Sequence, residues 1–185
     1  VDRNVGRLLD TLKRLNLAEN TIVIFSSDNG GPGYIGLPDI NAPYRGWKLT
    51  LFEGGIRVPL FMRWPGHIPA GREVTAPAGH IDLLPTLAAA CGADLPDVPI
   101  DGRNLLPLAT GEAETTGSDT IFWQSAYNKV VRQGDWKLQV SARPDKAWRG
   151  SRPGRNDHAA LALTVTGEST RWTLLSSTRI SRALL

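Results

Sequence analysis

One cysteine in 185 residues leaves no partner for an internal disulfide. Cys91 sits in the apolar run Leu87-Ala88-Ala89-Ala90-Cys91-Gly92 and reads as a buried, inert thiol rather than a nucleophile. No run approaches the roughly 20 apolar residues that a membrane span needs. There is neither an initiator Met nor a signal peptide, and the opening Val1-Asp2-Arg3-Asn4 reads as the start of a fragment. The missing signal therefore says nothing about export. Internal repeats are lacking as well. Charge is unevenly spread: residues 149–185 hold six Arg, no Lys, and just Asp157 and Glu168, a net of +4. Residues 1–148 hold 15 Lys and Arg against 16 Asp and Glu, a net of −1. The overall +3 thus belongs to the tail and gives no ground for nucleic-acid binding.

What is present fits one ordinary domain, or a domain with a small appendage, and 41% hydrophobic content suits a packed core. Val1, Val5, Leu8, Leu9, Leu12 and Leu15 recur at helical spacing, which predicts an amphipathic helix packed by one face. Thr21-Ile22-Val23-Ile24-Phe25 is a short β-branched run, which reads as a strand buried on both faces, as in a parallel sheet. Helix followed by strand suggests α/β architecture. The stretch from Gly30 to Gly46 is too broken by Gly and Pro for an element and too long for a simple connection, so it reads as a functional loop. Val58 to Trp64 is a second strand, ended by Pro65-Gly66. Asp82 caps a helix running to about Ala90, closed by Gly92, and a short turn is expected around Leu105 to Ala109. Thr120 to Trp123, Lys129 to Arg132 and Trp136 to Val140 read as strands of a small antiparallel sheet, with a hairpin turn at Gln133-Gly134-Asp135.

The chemistry concentrates just past the first strand. Ligands of open α/β sheets bind at the carboxyl ends of strands, and Asp28 and Asn29 follow such an end. A carboxylate beside an amide carbonyl offers hard oxygens, suited to Ca²⁺ or Mg²⁺. Asp-Asn-Gly is also a common turn, and the short motif alone favours that reading. Lys48, at the end of the long loop, is a solvated loop lysine taken by itself. Near a bound cation it becomes a point charge for an anion with several oxygens. Arg45 has the same chemistry with less support, and Glu53-Gly54-Gly55 reads as a tight turn with Arg57 as a partner for Glu53.

Three blocks in order carry a resemblance: Asn20 to Gly31, Pro43-Tyr44-Arg45-Gly46-Trp47-Lys48, and Phe52-Glu53-Gly54-Gly55-Ile56-Arg57-Val58-Pro59. Together they resemble the type I, formylglycine-dependent sulfatases of the alkaline phosphatase superfamily, arylsulfatases among them. Gly79 to Leu87, Asp101 to Leu105 and Gly134 to Leu138 resemble later blocks of that family, so the likeness covers about residues 1–148. It implies an α/β fold: the C-terminal portion of a sulfatase-like sheet with flanking helices, plus a small antiparallel subdomain. It implies that Asp28 and Asn29 are metal ligands, with Ca²⁺ expected before Mg²⁺ or Mn²⁺, and that Lys48 contacts the sulfate. The expected reaction is hydrolysis of a sulfate ester; phosphate or phosphonate ester hydrolysis and a non-catalytic truncated product are the alternatives. The full-length parent is expected to be periplasmic, secreted or lysosomal.

The resemblance places a Cys/Ser-x-Pro-x-Arg nucleophile block, source of the formylglycine, far upstream of Val1, together with an aspartate pair and a histidine. Cys91, followed by Gly92-Ala93-Asp94-Leu95, does not match that block; His67 and His80 come too late to match the histidine and read as structural or exposed. The chain alone is therefore expected to be inactive. Residues 1–117 are assigned to the α/β domain, 118–148 to the start of the antiparallel subdomain, and 149–185 to an atypical basic tail. A shift of reading frame near codon 148, disorder and a divergent terminus all accommodate that tail.

Overall fold

The computed structural model describes residues 1–37, 39–115, 117, 120–125, 128–141, 160–165 and 173–175. The chain divides into two units: residues 1–26 with 59–118, and residues 27–58 with 119–185.

The first unit opens with helix α1, Asp2–Arg14. Asp2 in its first turn and Lys13 and Arg14 in its last suit the helix dipole at both ends. The expectation that one face is packed does not hold among the described residues. No residue of α1 is buried, and Leu8 and Leu15 are each 51% exposed. Helical periodicity reports which face a helix can bury; it does not report whether a cover is present. Strand β1, Val23–Ser26, pairs antiparallel with β2, Leu60–Arg63, in a two-stranded sheet. This corrects the expectation of a parallel strand buried on both faces. Phe25 is 37% and Phe61 64% exposed, and the two rings meet at 6.3 Å. A run of β-branched residues carries no information about which strand lies beside it, and here that neighbour returns in the opposite direction. Trp64 closes β2 by donating its indole N–H to the Glu19 carbonyl at 2.9 Å, and the His67 ring stacks on it at 3.8 Å.

Helix α3, Leu83–Cys91, follows a 3₁₀ turn at His80–Asp82 and ends on Gly92 in the left-handed region. The Asp82 carboxylate does not cap α3 as expected. It reaches backward, where Oδ2 accepts from the Gly79 N–H at 2.8 Å, and sideways, where Oδ1 accepts from the Arg103 N–H at 2.7 Å. The 3₁₀ turn runs straight into α3, with Asp82 itself in the helical region, so the carboxylate is free for the incoming chain. Thr86, fully buried, donates to the Asp82 carbonyl at 2.6 Å and accepts from the Leu105 N–H at 2.9 Å. These bonds pin residues 103–105, and α4, Leu106–Thr110, starts from that anchor. Cys91 is exposed, not buried: it is the last residue of α3, where Pro85, Thr86 and Ala88 form the buried face. Asp82→Ala is expected to lower stability by about 3 kcal/mol, because two backbone donors lose the carboxylate that accepts from them in a dry site. Urea unfolding of the variant checks this.

The second unit contains a five-stranded antiparallel sheet in the order β3-β4-β5-β6-β7. Its strands are β3 Thr120–Ser125, β4 Asn128–Gln133, β5 Trp136–Ser141, β6 Ala160–Val165 and β7 Thr173–Leu175. The two-residue turn Gly134-Asp135 joins β4 to β5 in register Gln133 with Trp136, as the hairpin reading expected. β6 and β7 lie in the stretch described above as an atypical basic tail; β6 pairs with β5 from Trp136–Val165 to Ser141–Ala160. The rest of the tail lies outside the described residues. No helix among the described residues is long and apolar enough to cross a membrane.

Candidate functional site

The second unit also holds the loop from Ser27 to Val58, which begins directly after β1. Its local fold follows from a few polar clips. The Ser27 hydroxyl donates to the Asn29 carbonyl at 2.8 Å, which turns the chain at Asp28. Asn41 acts as a staple: its Oδ1 accepts from the Gly31 N–H at 2.7 Å, and its Nδ2 donates to the carbonyls of Gly31 at 2.9 Å and Gly46 at 3.0 Å. The Lys48 N–H donates to that same Gly31 carbonyl at 3.2 Å. Thr50 closes the turn by donating from its hydroxyl to the Trp47 carbonyl at 2.8 Å. The Glu53-Gly54-Gly55 block is a single helical turn, α2, Glu53–Ile56, rather than a plain tight turn. Gly54 donates to the Arg45 carbonyl at 2.7 Å, and Gly55 accepts from the Gly30 N–H at 3.0 Å.

The loop thus brings the backbones of residues 29–31, 45–48 and 54–55 into one hydrogen-bonded layer. The layer is thin enough that a Cβ on Gly30 would overlap the Gly54 carbonyl oxygen. Asp28 is exposed and Asn29 half-buried, and the Asn29 amide nitrogen meets Asp28 Oδ2. A half-turn of the amide puts Oδ1 beside the carboxylate instead, giving two adjacent hard oxygens. That donor set fits part of a Ca²⁺ or Mg²⁺ shell, which needs six or more oxygens in all, and the pair's exposure leaves the other positions open. No cluster of three His, Cys, Asp or Glu side chains suited to a metal occurs among the described residues.

Of the residues singled out from sequence, Asn29 and Lys48 fall in that layer and Asp28 directly precedes it, and Lys48 is half-buried. The Arg45 guanidinium lies over the Phe52 ring at 4.4 Å, and that of Arg57 over Tyr44 at 4.6 Å. Arg57 reaches Glu53 Oε2 only at 4.0 Å. The close partner of Glu53 is Lys137, whose Nζ donates to Oε1 at 2.6 Å from β5. Sequence reasoning missed both Lys137 and Asn41. Asn41, in a loop already read as functional, carries a detectable signal, whereas Lys137 lies 84 residues from its partner.

Lys137 is 3% exposed, and burial holds its ammonium below the ordinary lysine value of 10.5. Glu53 beside it pushes the other way, and Arg132 adds to the lowering. With the folded value below the unfolded one, the unfolded chain binds more protons in the window between them. Stability therefore rises with pH through that window, and the charging cost is fully present below it. Unfolding free energy followed into the alkaline range is expected to rise for the native chain relative to Lys137→Met, which lacks the titrating group.

The pattern Ser-x-Pro-x-Arg occurs in letter at Ser151-Arg152-Pro153-Gly154-Arg155. That run lies outside the described residues and on the opposite side of Asp28 from the nucleophile block the resemblance expects.

Comparison with known proteins bears on the family of the chain. Residues 1–93 match the Sulfatase family model. Steryl-sulfatase of Rattus norvegicus is 43% identical over 156 residues, covering 80% of this chain and 26% of the relative. Arylsulfatase A of Homo sapiens is 40% identical over 150 residues, covering 74% and 28%. The crystal structure of Ps i-CgsB superposes with a TM-score of 0.67 at 36% identity, over 78% of this chain and 33% of that one. The chain spans about a quarter of the length of the curated relatives it matches. From α1 through α3 it carries the matched segment, and it belongs to the sulfatase family.

Proposed function

We propose that this chain is part of an enzyme that hydrolyses sulfate esters, in which Asp28 and Asn29 hold a divalent cation, Ca²⁺ before Mg²⁺ or Mn²⁺, and Lys48 contacts the sulfate. One observation carries the reading: the Gly31 carbonyl accepts the Lys48 N–H two residues after Asn29, so one loop supplies the hard oxygens and the cationic point charge together. When bound, the cation polarises the sulfate and helps activate the nucleophile. The work of this chain is electrostatic. Asp28 and Asn29 supply oxygens on a turn fixed by Ser27 and Gly30. The Lys48 ammonium stabilises negative charge that develops on a sulfate oxygen as the ester bond breaks. The half-buried position of Lys48 keeps it less screened than a free surface lysine. The amide of Asn29, a hard and neutral donor, favours Ca²⁺ over the transition metals of phosphate-cleaving relatives.

Two measurements test this. The 185-residue chain alone is expected to turn over neither p-nitrophenyl sulfate nor p-nitrophenyl phosphate, with or without Ca²⁺, because no nucleophile of the expected kind stands upstream of Asp28 in it. Sulfatase turnover by the pure chain contradicts the expected need for an upstream nucleophile, and a Ser151→Ala variant then shows whether Ser151 is its source. The same chain extended to the length of its relatives is expected to hydrolyse the sulfate, to lose that activity in chelator, and to regain it with Ca²⁺. Indifference to chelator overturns the cation assignment.

A further inference from the structure

Lys137 and Glu53 are an unusual expenditure of two charges. Lys137 is 3% exposed and Glu53 23%, and their 2.6 Å contact links β5 to α2 within the second unit. Burying an ammonium costs several kcal/mol unless its partner is held in good geometry, and a small antiparallel sheet gains more stability from an apolar residue at that place. What the pair holds is the α2 turn, and that turn is the hub of the loop. Gly54 bonds to Arg45, three residues before Lys48; Gly55 bonds to Gly30, the residue after Asn29. Glu53 itself starts the turn, with Arg57 donating its N–H to the Glu53 carbonyl at 2.8 Å.

We propose that the Lys137–Glu53 ion pair is a positioning device: it seats α2 on the five-stranded sheet and through α2 sets the backbone beside Asp28, Asn29 and Lys48. This rests on the reading of those three residues as the functional site. Neither Lys137 nor Glu53 touches substrate in this scheme; both act through the Gly54 and Gly55 backbone. The antiparallel subdomain then has a part in the chemistry, as the fixed wall against which the loop is held.

Amide hydrogen exchange on the whole 185-residue chain tests this, with no metal, sulfate or turnover required. Lys137→Met and Glu53→Gln are expected to speed exchange of the Gly30, Lys48 and Gly54 amides by about tenfold relative to amides of β4 and β5. Lys137→Arg, which keeps the charge, is expected to restore most of the protection. Val130→Ala, a core truncation in β4, is the control for loosening of the sheet and is expected to speed the β4 and β5 amides without raising that ratio. The idea is overturned if the Lys137 and Glu53 variants speed exchange throughout the sheet just as Val130→Ala does, or only within β4 and β5. Should Lys137→Met not fold, Glu53→Gln against Lys137→Arg gives the same comparison. Failure of the sulfatase reading shows in the turnover assays and leaves the exchange result untouched, so the two can be told apart.

Discussion

Gly30→Ala is expected to destabilise the second unit by about 3 kcal/mol, the upper range for forcing atoms into a packed site. The added Cβ would overlap the Gly54 carbonyl oxygen, with the Gly54 carbonyl carbon at 2.7 Å and Gly55 Cα at 3.1 Å also in its way. All three are backbone atoms, so no side-chain rotation relieves the clash. The hydrogen bond from Gly30 to Gly55 has to lengthen or break, and Asp28 and Asn29 move with it. Gly6→Ala provides a contrast of opposite sign. A Cβ there meets nothing within 4 Å, and the residue sits inside α1. Alanine at an open helical position is expected to stabilise by about 0.5–1 kcal/mol. Urea titrations of the two variants check both signs. A neutral Gly30→Ala contradicts the close-packed loop.

Asp28→Ala is expected to reduce aryl-sulfate kcat/KM of the extended protein by about 100-fold or more, since even residues that merely support metal ligands are worth about 10–100-fold. Asp28 supplies the charged oxygen of the pair, and Asn29 a neutral one. Asn29→Ala is therefore expected to cost less, and excess Ca²⁺ to rescue it further. The two heads already touch, so removing either leaves the other without its neighbour, and the double variant is expected to cost less than the product of the single losses. Steady-state rates over a Ca²⁺ series measure both effects. Equal losses at every Ca²⁺ concentration contradict a ligand role.

Much of this was legible because it is local. The 3.6-residue spacing of Val5, Leu8, Leu12 and Leu15 marks α1, and the two-residue Gly134-Asp135 turn marks the β4–β5 hairpin, each within a dozen residues. The Asp28-Asn29 and Lys48 blocks were legible as ordered text in a loop too long to be a mere connection. What was not legible is tertiary. No pattern at Thr21 to Phe25 says that the neighbouring strand is β2, or that it runs antiparallel. Local pattern gives the Asp82 carboxylate to the helix ahead of it, yet it bonds to Arg103, 21 residues on. The alanines before Cys91 suggest an interior position, but the buried face of α3 ends before it. Nothing in the strand Trp136 to Val140 points to Glu53, which stands 84 residues away from its partner Lys137. In the tail, Ala159 to Val165 is apolar but short and carries no sign of its partner, yet β6 pairs with β5 and β7 with β6.

The assignment of Asp28, Asn29 and Lys48 to a sulfate-ester site meets its most direct test in initial rates with p-nitrophenyl sulfate and p-nitrophenyl phosphate, for the extended protein and its Lys48→Ala variant, with Ca²⁺ present. The expected result is a strong preference for the sulfate and a loss of about 100-fold to 1,000-fold in kcat on that ester when Lys48 is removed, the range for deleting one group that stabilises charge in the transition state. A preference for the phosphate, or a Lys48→Ala enzyme that cleaves the sulfate as fast as its parent, contradicts it.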